Sequence, residues 1–471
     1  MAYVRRRGNQ LAIVHGEREP GTGKVQQRIL FTIYSKAEAL EILGRGEKSG
    51  RWHFEGLFEH HVPDIKLNWK KIRRGLEDNL DALPDLYEYQ SERVRGRFRE
   101  DLCAFSKQLM MTDPQDLMPS AHLIQEHRHE LEYLSDLIQW RLKLREQKES
   151  QWNEDNPFYW RFALQARSVP PDTEEHAAGF YERGEYKKAQ AIFTLLIDCF
   201  DDYAEGYNYL GLIAYEQRKL DEAVGHFEKT IEVGRKLFPA RISKKRYWSD
   251  HVTRPYMRGL RNLALTLNQA ARFDEALALC DRLENECGDD FTANSHRAAI
   301  YLNTRKWEQA AVSAKRSGGD LDPSAGFVEA FALLQLGQPD AALPAFLRAA
   351  LHCPRAARML VGERTVAPKS SEEARDHNTG VSLLRTLDTY FKDQPRAAKK
   401  FFRGLVRDPR VTKLLDESIV VVRRWEDEHH KGDRSAFDRM AVMRSWSFAE
   451  GEAYKLRDLL PFSVEHRLAV H

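Results

Sequence analysis

Apolar residues recur at two different periods along this chain, and the change of period divides it. Residues 10–15 (Gln-Leu-Ala-Ile-Val-His) and 25–34 are rich in β-branched and aromatic residues, which predicts short strands, and residues 2–7 offer a short leading strand to pair alongside. The segment Gly16 to Gly23, with Pro20-Gly21-Thr22-Gly23, reads as the turn between the last two. Ser35-Lys-Ala-Glu38 is a capping box, so a short helix is expected through about Leu43, ended by Gly44 and Gly46. Residues 1–50 thus form a hairpin or three-stranded sheet with one helix. From 51 to 168 the pattern turns helical and irregular. There Leu123, His127, Leu131, Leu134 and Leu137 place one amphipathic helix over His122 to Lys148. Residues 357–378, with Pro368, Ser370 and Ser371, read as a linker or mobile loop. Residues 380–426 and 434–459 read as helical again.

The strongest signal lies in residues 169–356. Five segments align: Glu185-Tyr-Lys-Lys-Ala189, Lys219-Leu-Asp-Glu-Ala223, Arg272-Phe-Asp-Glu-Ala276, Lys306-Trp-Glu-Gln-Ala310 and Gln338-Pro-Asp-Ala-Ala342. Their closing alanines are 34, 53, 34 and 32 residues apart. Phe193, Phe227 and Phe346 follow three of them by four residues. Small residues (Ala177, Gly211, Ala264, Ala298, Ala330) precede all five by twelve.

This pattern resembles the tetratricopeptide repeat (TPR) family, whose period is about 34 residues. The second unit matches best, with Tyr207, Leu210, Gly211, Ala223 and Phe227 in family positions. The resemblance implies a mainly α fold, a solenoid of antiparallel helix pairs in which small residues let backbones approach and an aromatic fills each gap. It also implies a concave groove built from the first helices that binds other proteins. By register, Asn208, Tyr209, Arg261, Asn262, Asn294 and Arg297 would line it. One branch of the family clamps the C-terminal carboxylates of chaperones. Glu174 stands where that branch has its first asparagine, and the interruption after the second unit breaks the stacking the clamp needs, so this ligand is not expected.

The 53-residue interval is 34 plus 19, which places an insertion at 235–256 between the second and third units. Residues 235–261 carry nine Lys/Arg against one acid, Asp250, interleaved with Phe238, Tyr247, Trp248 and Tyr256. Cations mixed with flat rings can grip phosphates and stack bases, or clasp an acidic peptide. In that reading Lys244, Lys245, Arg246, Arg254 and Arg258 supply charge, and Trp248 and Tyr256 supply stacking surfaces. The bland alternative has Tyr247, Trp248 and Tyr256 plugging the gap between displaced repeats. A second basic element is Arg5-Arg6-Arg7, with Lys24 and Arg28. This segment loosely resembles the sheet-plus-helix arms that open some tyrosine recombinases and transposases, which lay a sheet on DNA. A stabilising cap or docking hairpin is the better reading of it. Lys399, Lys400, Arg403, Arg407 and Arg410 form a third basic stretch, read as a solvated face.

Composition narrows the remaining classes. The 471 residues carry 73 Lys+Arg against 71 Asp+Glu, so any basic behaviour is local. No apolar run approaches the ~20 residues of a membrane span, and the N-terminus lacks a signal-peptide core. Cys103, Cys199, Cys280, Cys287 and Cys353 form no Cys-x-x-Cys, which points to a reducing cytoplasm, with Cys280 and Cys287 as core thiols. Pro20-Gly-Thr-Gly-Lys24 superficially resembles a phosphate loop, but Val25 stands where magnesium chemistry needs Ser or Thr, and a strand follows rather than a helix. The histidines at His60-His61, His122/His127/His129 and His429-His430 show no metal-ligand spacing. No catalytic constellation, metal site or cofactor motif is found. The expectation is a non-catalytic cytoplasmic adaptor binding a protein or peptide. A nucleic-acid-associated protein, using the hairpin and the insertion, is the alternative.

Overall fold

The structure is a computed structural model that describes residues 2–18, 23, 25–44, 54–84, 100, 125, 128, 171–317, 322–393, 396–428 and 434–460. The helix expected over His122 to Lys148 and the histidines around it, apart from Gln125 and Arg128, lie outside the described residues, as do Cys103 and most of the Pro20–Lys24 turn. Compactness divides the chain into an N-terminal unit, Met1–Asn262, and a C-terminal unit, Leu263–His471.

The N-terminal unit opens with a three-stranded antiparallel sheet, β1 (Ala2–Arg7), β2 (Gln10–Arg18) and β3 (Val25–Ile33), in the order β1-β2-β3. Arg7 pairs with Gln10, so Gly8-Asn9 is a two-residue hairpin loop, and Gly8 takes the positive φ (+60°) such a loop requires. Leu11, Ile13, Phe31 and Ile33 pack against α1 (Lys36–Gly44), α2 (Phe54–His61) and α3 (Trp69–Glu77) through Ile42, Phe54, Phe58, Ile72 and Leu76. The capping box forms: Ser35 Oγ accepts from Glu38 N at 3.3 Å. The Glu38 carboxylate reaches back one residue further than the motif predicts, accepting from Tyr34 N at 2.6 Å.

The repeat then follows as helix pairs: α4 (Pro171–Glu182) with α5 (Tyr186–Cys199), and α6 (Ala204–Glu216) with α7 (Leu220–Arg235). After α8 (Lys244–Ser249) come α9 (Arg254–Gln269) and α10 (Phe273–Asn285), α11 (Asp290–Asn303) and α12 (Trp307–Arg316), and α13 (Pro323–Gln335) and α14 (Pro339–His352). All five closing alanines and Ala177, Ala264, Ala298 and Ala330 are fully buried. At Gly211 the reason is explicit: a Cβ would lie 2.5 Å from the Phe227 ring. Where the third and fourth units lack the aromatic, Cys280 and Ala314 take its place and are equally buried.

Each pair turns in the same way. Gly184, Arg218, Ala271, Arg305 and Gly337, each five residues before a closing alanine, have φ between 58° and 75°. The next residue donates its N–H five residues back, as Lys219 does to Ala214 O at 2.9 Å and Lys306 to Tyr301 O at 2.8 Å. This closes the orphan carbonyls of the first helix in a Schellman motif.

The insertion leaves the repeat and returns to it. A Cβ on Gly234 would meet Tyr256 N at 3.0 Å, and one on Gly259 would meet Ile231 at 2.9 Å, so the start of α9 lies directly on α7. The extra residues bulge outward around a buried ring cluster of Phe238, Tyr247 and Tyr256, with centroids 5.4 to 6.3 Å apart.

In the C-terminal unit, α15 (Pro354–Leu360) and α16 (Ser371–Thr386) follow α14. The linker expected over 357–378 is therefore mostly helical. Ser370 starts α16 by accepting from Glu373 N, a Ser-x-x-Glu signal. Next come α17 (Asp388–Asp393), α18 (Arg396–Arg407), α19 (Pro409–Glu428), α20 (Ser435–Met443) and α21 (Trp446–Lys455). They cover the last repeat: Phe402 stacks on Phe346 at 4.3 Å and meets Phe331 edge-on at 5.1 Å. No helix among the described residues is long and apolar enough to cross a membrane.

Candidate partner-binding faces

In the N-terminal unit the first-helix face is built by α4, α6 and the start of α9. Tyr209 lies flat on Phe193 (4.4 Å, 7° between planes), and Tyr181 meets it edge-on at 5.6 Å. Glu205 stands one turn before Tyr209 and is buried. It accepts from Asn208 Nδ2 at 3.1 Å and pairs with the Arg258 guanidinium. Asn262 Nδ2 donates to Asn208 Oδ1 at 2.9 Å, joining α9 to α6. Four of the six residues predicted to line a groove are thus brought together here: Asn208 and Asn262 pair in a buried ladder, Tyr209 is half-buried, and Arg261 is exposed. Burial, and then the nearby carboxylates, push the Tyr209 hydroxyl well above its ordinary pKa, with Glu205 and Glu174 the nearest contributors. Burial and then Glu216 push that of Tyr181 up to about 12. Tyr181 and Glu205 were missed from the sequence, although a carboxylate and an aromatic four apart on one helix, Glu205 and Tyr209, was a readable sign.

The other two predicted residues lie in the C-terminal unit. Asn294 is buried and donates to Asp290 O at 2.7 Å within its own helix. Arg297 turns toward α10 and pairs with Asp281 and Glu284, each at 2.6 Å. Between the ends of the first helices lies a segment of the chain itself. Asn303 Nδ2 donates to Asn268 Oδ1 (2.9 Å) and to Thr386 O (2.8 Å), and Asn268 Nδ2 also reaches Thr386 O (3.1 Å). Asn303 Oδ1 accepts from Tyr390 N, and Gln335 Nε2 donates to the Tyr390 hydroxyl at 3.0 Å.

The insertion and the N-terminal sheet, far apart in sequence, meet. Arg246 Nη1 lies 3.2 Å from Glu17 Oε2, and Arg28 pairs with Asp250. Arg246 therefore ties α8 to the sheet rather than facing outward. Tyr256 has no exposed surface, so its ring is part of the core and offers nothing to stack on. Trp248 is 54% exposed, and Lys244 and Lys245 are exposed beside it. Arg254 is half-buried, and Arg258 belongs to the Glu205 pair. On the edge strand, Arg5 Nη1 donates to Gln27 at 2.5 Å, Arg6 Nε donates to Gly8 O at 3.2 Å, and Arg7 is exposed. Three arginines on an edge also guard it against strand pairing.

Of the third basic stretch, Arg403 donates to Val361 O, Arg407 pairs with Glu363, and Arg410 pairs with Asp408 and Asp458. Lys399 sits over the Phe391 ring, and Lys400 is exposed. Burial pushes the Cys280 thiol up to about 12, as expected of a core thiol. Among the described residues no group of three or more His, Cys, Asp or Glu is placed to hold a metal ion.

With this geometry in view, comparison with known families adds one match: residues 204–241, which span α6, α7 and the start of the insertion, fit the tetratricopeptide repeat family. No curated protein matches the chain. The fold is mainly α, a helical repeat that this match fits, with a small N-terminal three-stranded sheet. A TPR is a protein-interaction module.

Proposed function

We propose that the chain is a non-catalytic adaptor that holds a protein partner on the first-helix face of its N-terminal unit. The observation that carries this reading is the row of Asn208, Tyr209, Arg258, Arg261 and Asn262 across two neighbouring first helices, inside or next to the one segment that fits the family. Their buried members are mutually hydrogen-bonded, so the face is pre-organised and a partner need not order it. A photo-crosslinking residue at Arg261 tests the reading, with the same residue at Lys229 on α7 as control. Adducts from 261 alone are expected in cells of the native host. Equal adducts from both positions would sink it.

The alternative is nucleic-acid association, favoured by Trp248 exposed beside Lys244 and Lys245 on α8. Binding of a labelled single-stranded oligonucleotide that weakens steeply with salt, and is lost in Lys244→Ala/Lys245→Ala/Trp248→Ala, would favour it over the adaptor.

A further inference from the structure

The charges on the first-helix face of the N-terminal unit are sorted by helix. Glu174 and Glu182 lie on α4, and Glu205 and Glu216 on α6, while Arg258 and Arg261 lie on α9. Arg258 pairs with Glu205, so these two charges largely offset each other, and Glu174, Glu182 and Glu216 carry the acidic character nearest the rings. Between the acidic helices stand Tyr181 and Tyr209, both half-buried and held by ring contacts with Phe193 and Tyr186. A ring face presents negative quadrupole to a cation, and carboxylates around it add to the attraction. The same surroundings resist a ligand carboxylate. On the partner-binding reading above, which this inference narrows, we propose that the α4–α6 part of the face receives a basic segment of the partner protein, seating a lysine or arginine side chain against Tyr181 and Tyr209. Complementarity then sets the direction of the segment, with its cation toward α4 and any acidic or C-terminal end toward Arg261. Burial is the larger cause of the raised phenol pKa values, and the carboxylates add to it; that smaller contribution, which disfavours a phenolate, favours a cation.

The test uses the full-length protein and a phage-displayed library of random peptides, followed by fluorescence anisotropy of a fluorescein-labelled selected peptide. Enrichment of lysine or arginine is expected. Affinity should fall at least about five-fold in Glu182→Gln/Glu216→Gln, exposed or half-buried changes whose melting should match the parent. Tyr209→Ala should cost at least about ten-fold, and Tyr209→Phe much less. Peptides that bind and block the crosslinker at Arg261 but carry no cation, or whose affinity ignores both carboxylates, would overturn the basic partner and leave the adaptor standing. If neither library nor host supplies a ligand competing at Arg261, both fall.

Discussion

Each unit of this molecule joins neighbouring first helices by a pair of asparagines, and the two pairs do different work. In the N-terminal unit Asn262 donates to Asn208, and the pair leans on Glu205 and Arg258. In the C-terminal unit Asn303 donates to Asn268, and both also grip the carbonyl of Thr386, a residue from beyond the repeats. The second face is therefore part of the protein's own core: Tyr390 is buried against Trp307, Phe331 and Phe391. The first keeps half-buried tyrosines and an exposed arginine. Similar helix pairs thus serve as a closed end in one region and as a candidate docking face in the other, and the difference lies in what covers them.

The largest expected effect breaks the scaffold under the first face. Gly211→Leu drives a side chain into Phe227 and should cost about 3 kcal/mol or more, read by denaturant unfolding. An unchanged midpoint would refute the stacking. Next is a response confined to the second region. Burial, aided by the Arg444 charge, holds His352 down to about 4, while its Nε2 faces Arg444 O at 3.3 Å. A depressed histidine contributes stability present above its unfolded pKa of roughly 6.5 and lost as pH falls through about 4, on the order of 3 kcal/mol. Urea unfolding between pH 7 and 4 should show this loss, and His352→Gln should flatten it. Asn303→Ala removes the partner of Tyr390 N, the donor to Asn268 Oδ1 and one of the two side-chain donors to Thr386 O, and should cost about 2 kcal/mol because these groups are buried. Asn262→Ala in the N-terminal unit leaves fewer groups unpaired and should cost roughly 1 kcal/mol. Equal losses would erase the distinction between the faces. Smallest are Arg218→Gly, Ala271→Gly and Arg305→Gly, each expected to be neutral or to stabilise by up to about 1 kcal/mol by relieving a left-handed non-glycine residue.

Much of the scaffold was legible because its signals are local or periodic. Alanines at a 34-residue interval, the Ser35–Glu38 box and the apolar run Leu11–Val14 in β2 all announce themselves by local or periodic pattern. The candidate face was half legible: register found Asn208 and Asn262 but gave Arg297 to a groove, whereas Asp281 and Glu284 on the preceding helix claim it. Nothing near Arg246 in sequence announces Glu17, 229 residues away. Nor does anything near Tyr256 announce that Gly234 opens a space for its backbone. Such contacts depend on tertiary geometry, and residue type alone left those side chains looking available.

Because α9 comes back to lie on α7, the stretch between them can change length without disturbing the helices on either side. That freedom explains how a period of 34 survives an interruption of 19 residues. The excursion nevertheless has a task, since Arg246 and Asp250 fasten the β-sheet to the rest of its unit. A chain shortened from Arg235 straight to Arg254 should keep its helical ladder while the sheet, still packed on α1–α3, loses this tie to it, which hydrogen exchange would read as weaker protection of β2 and β3.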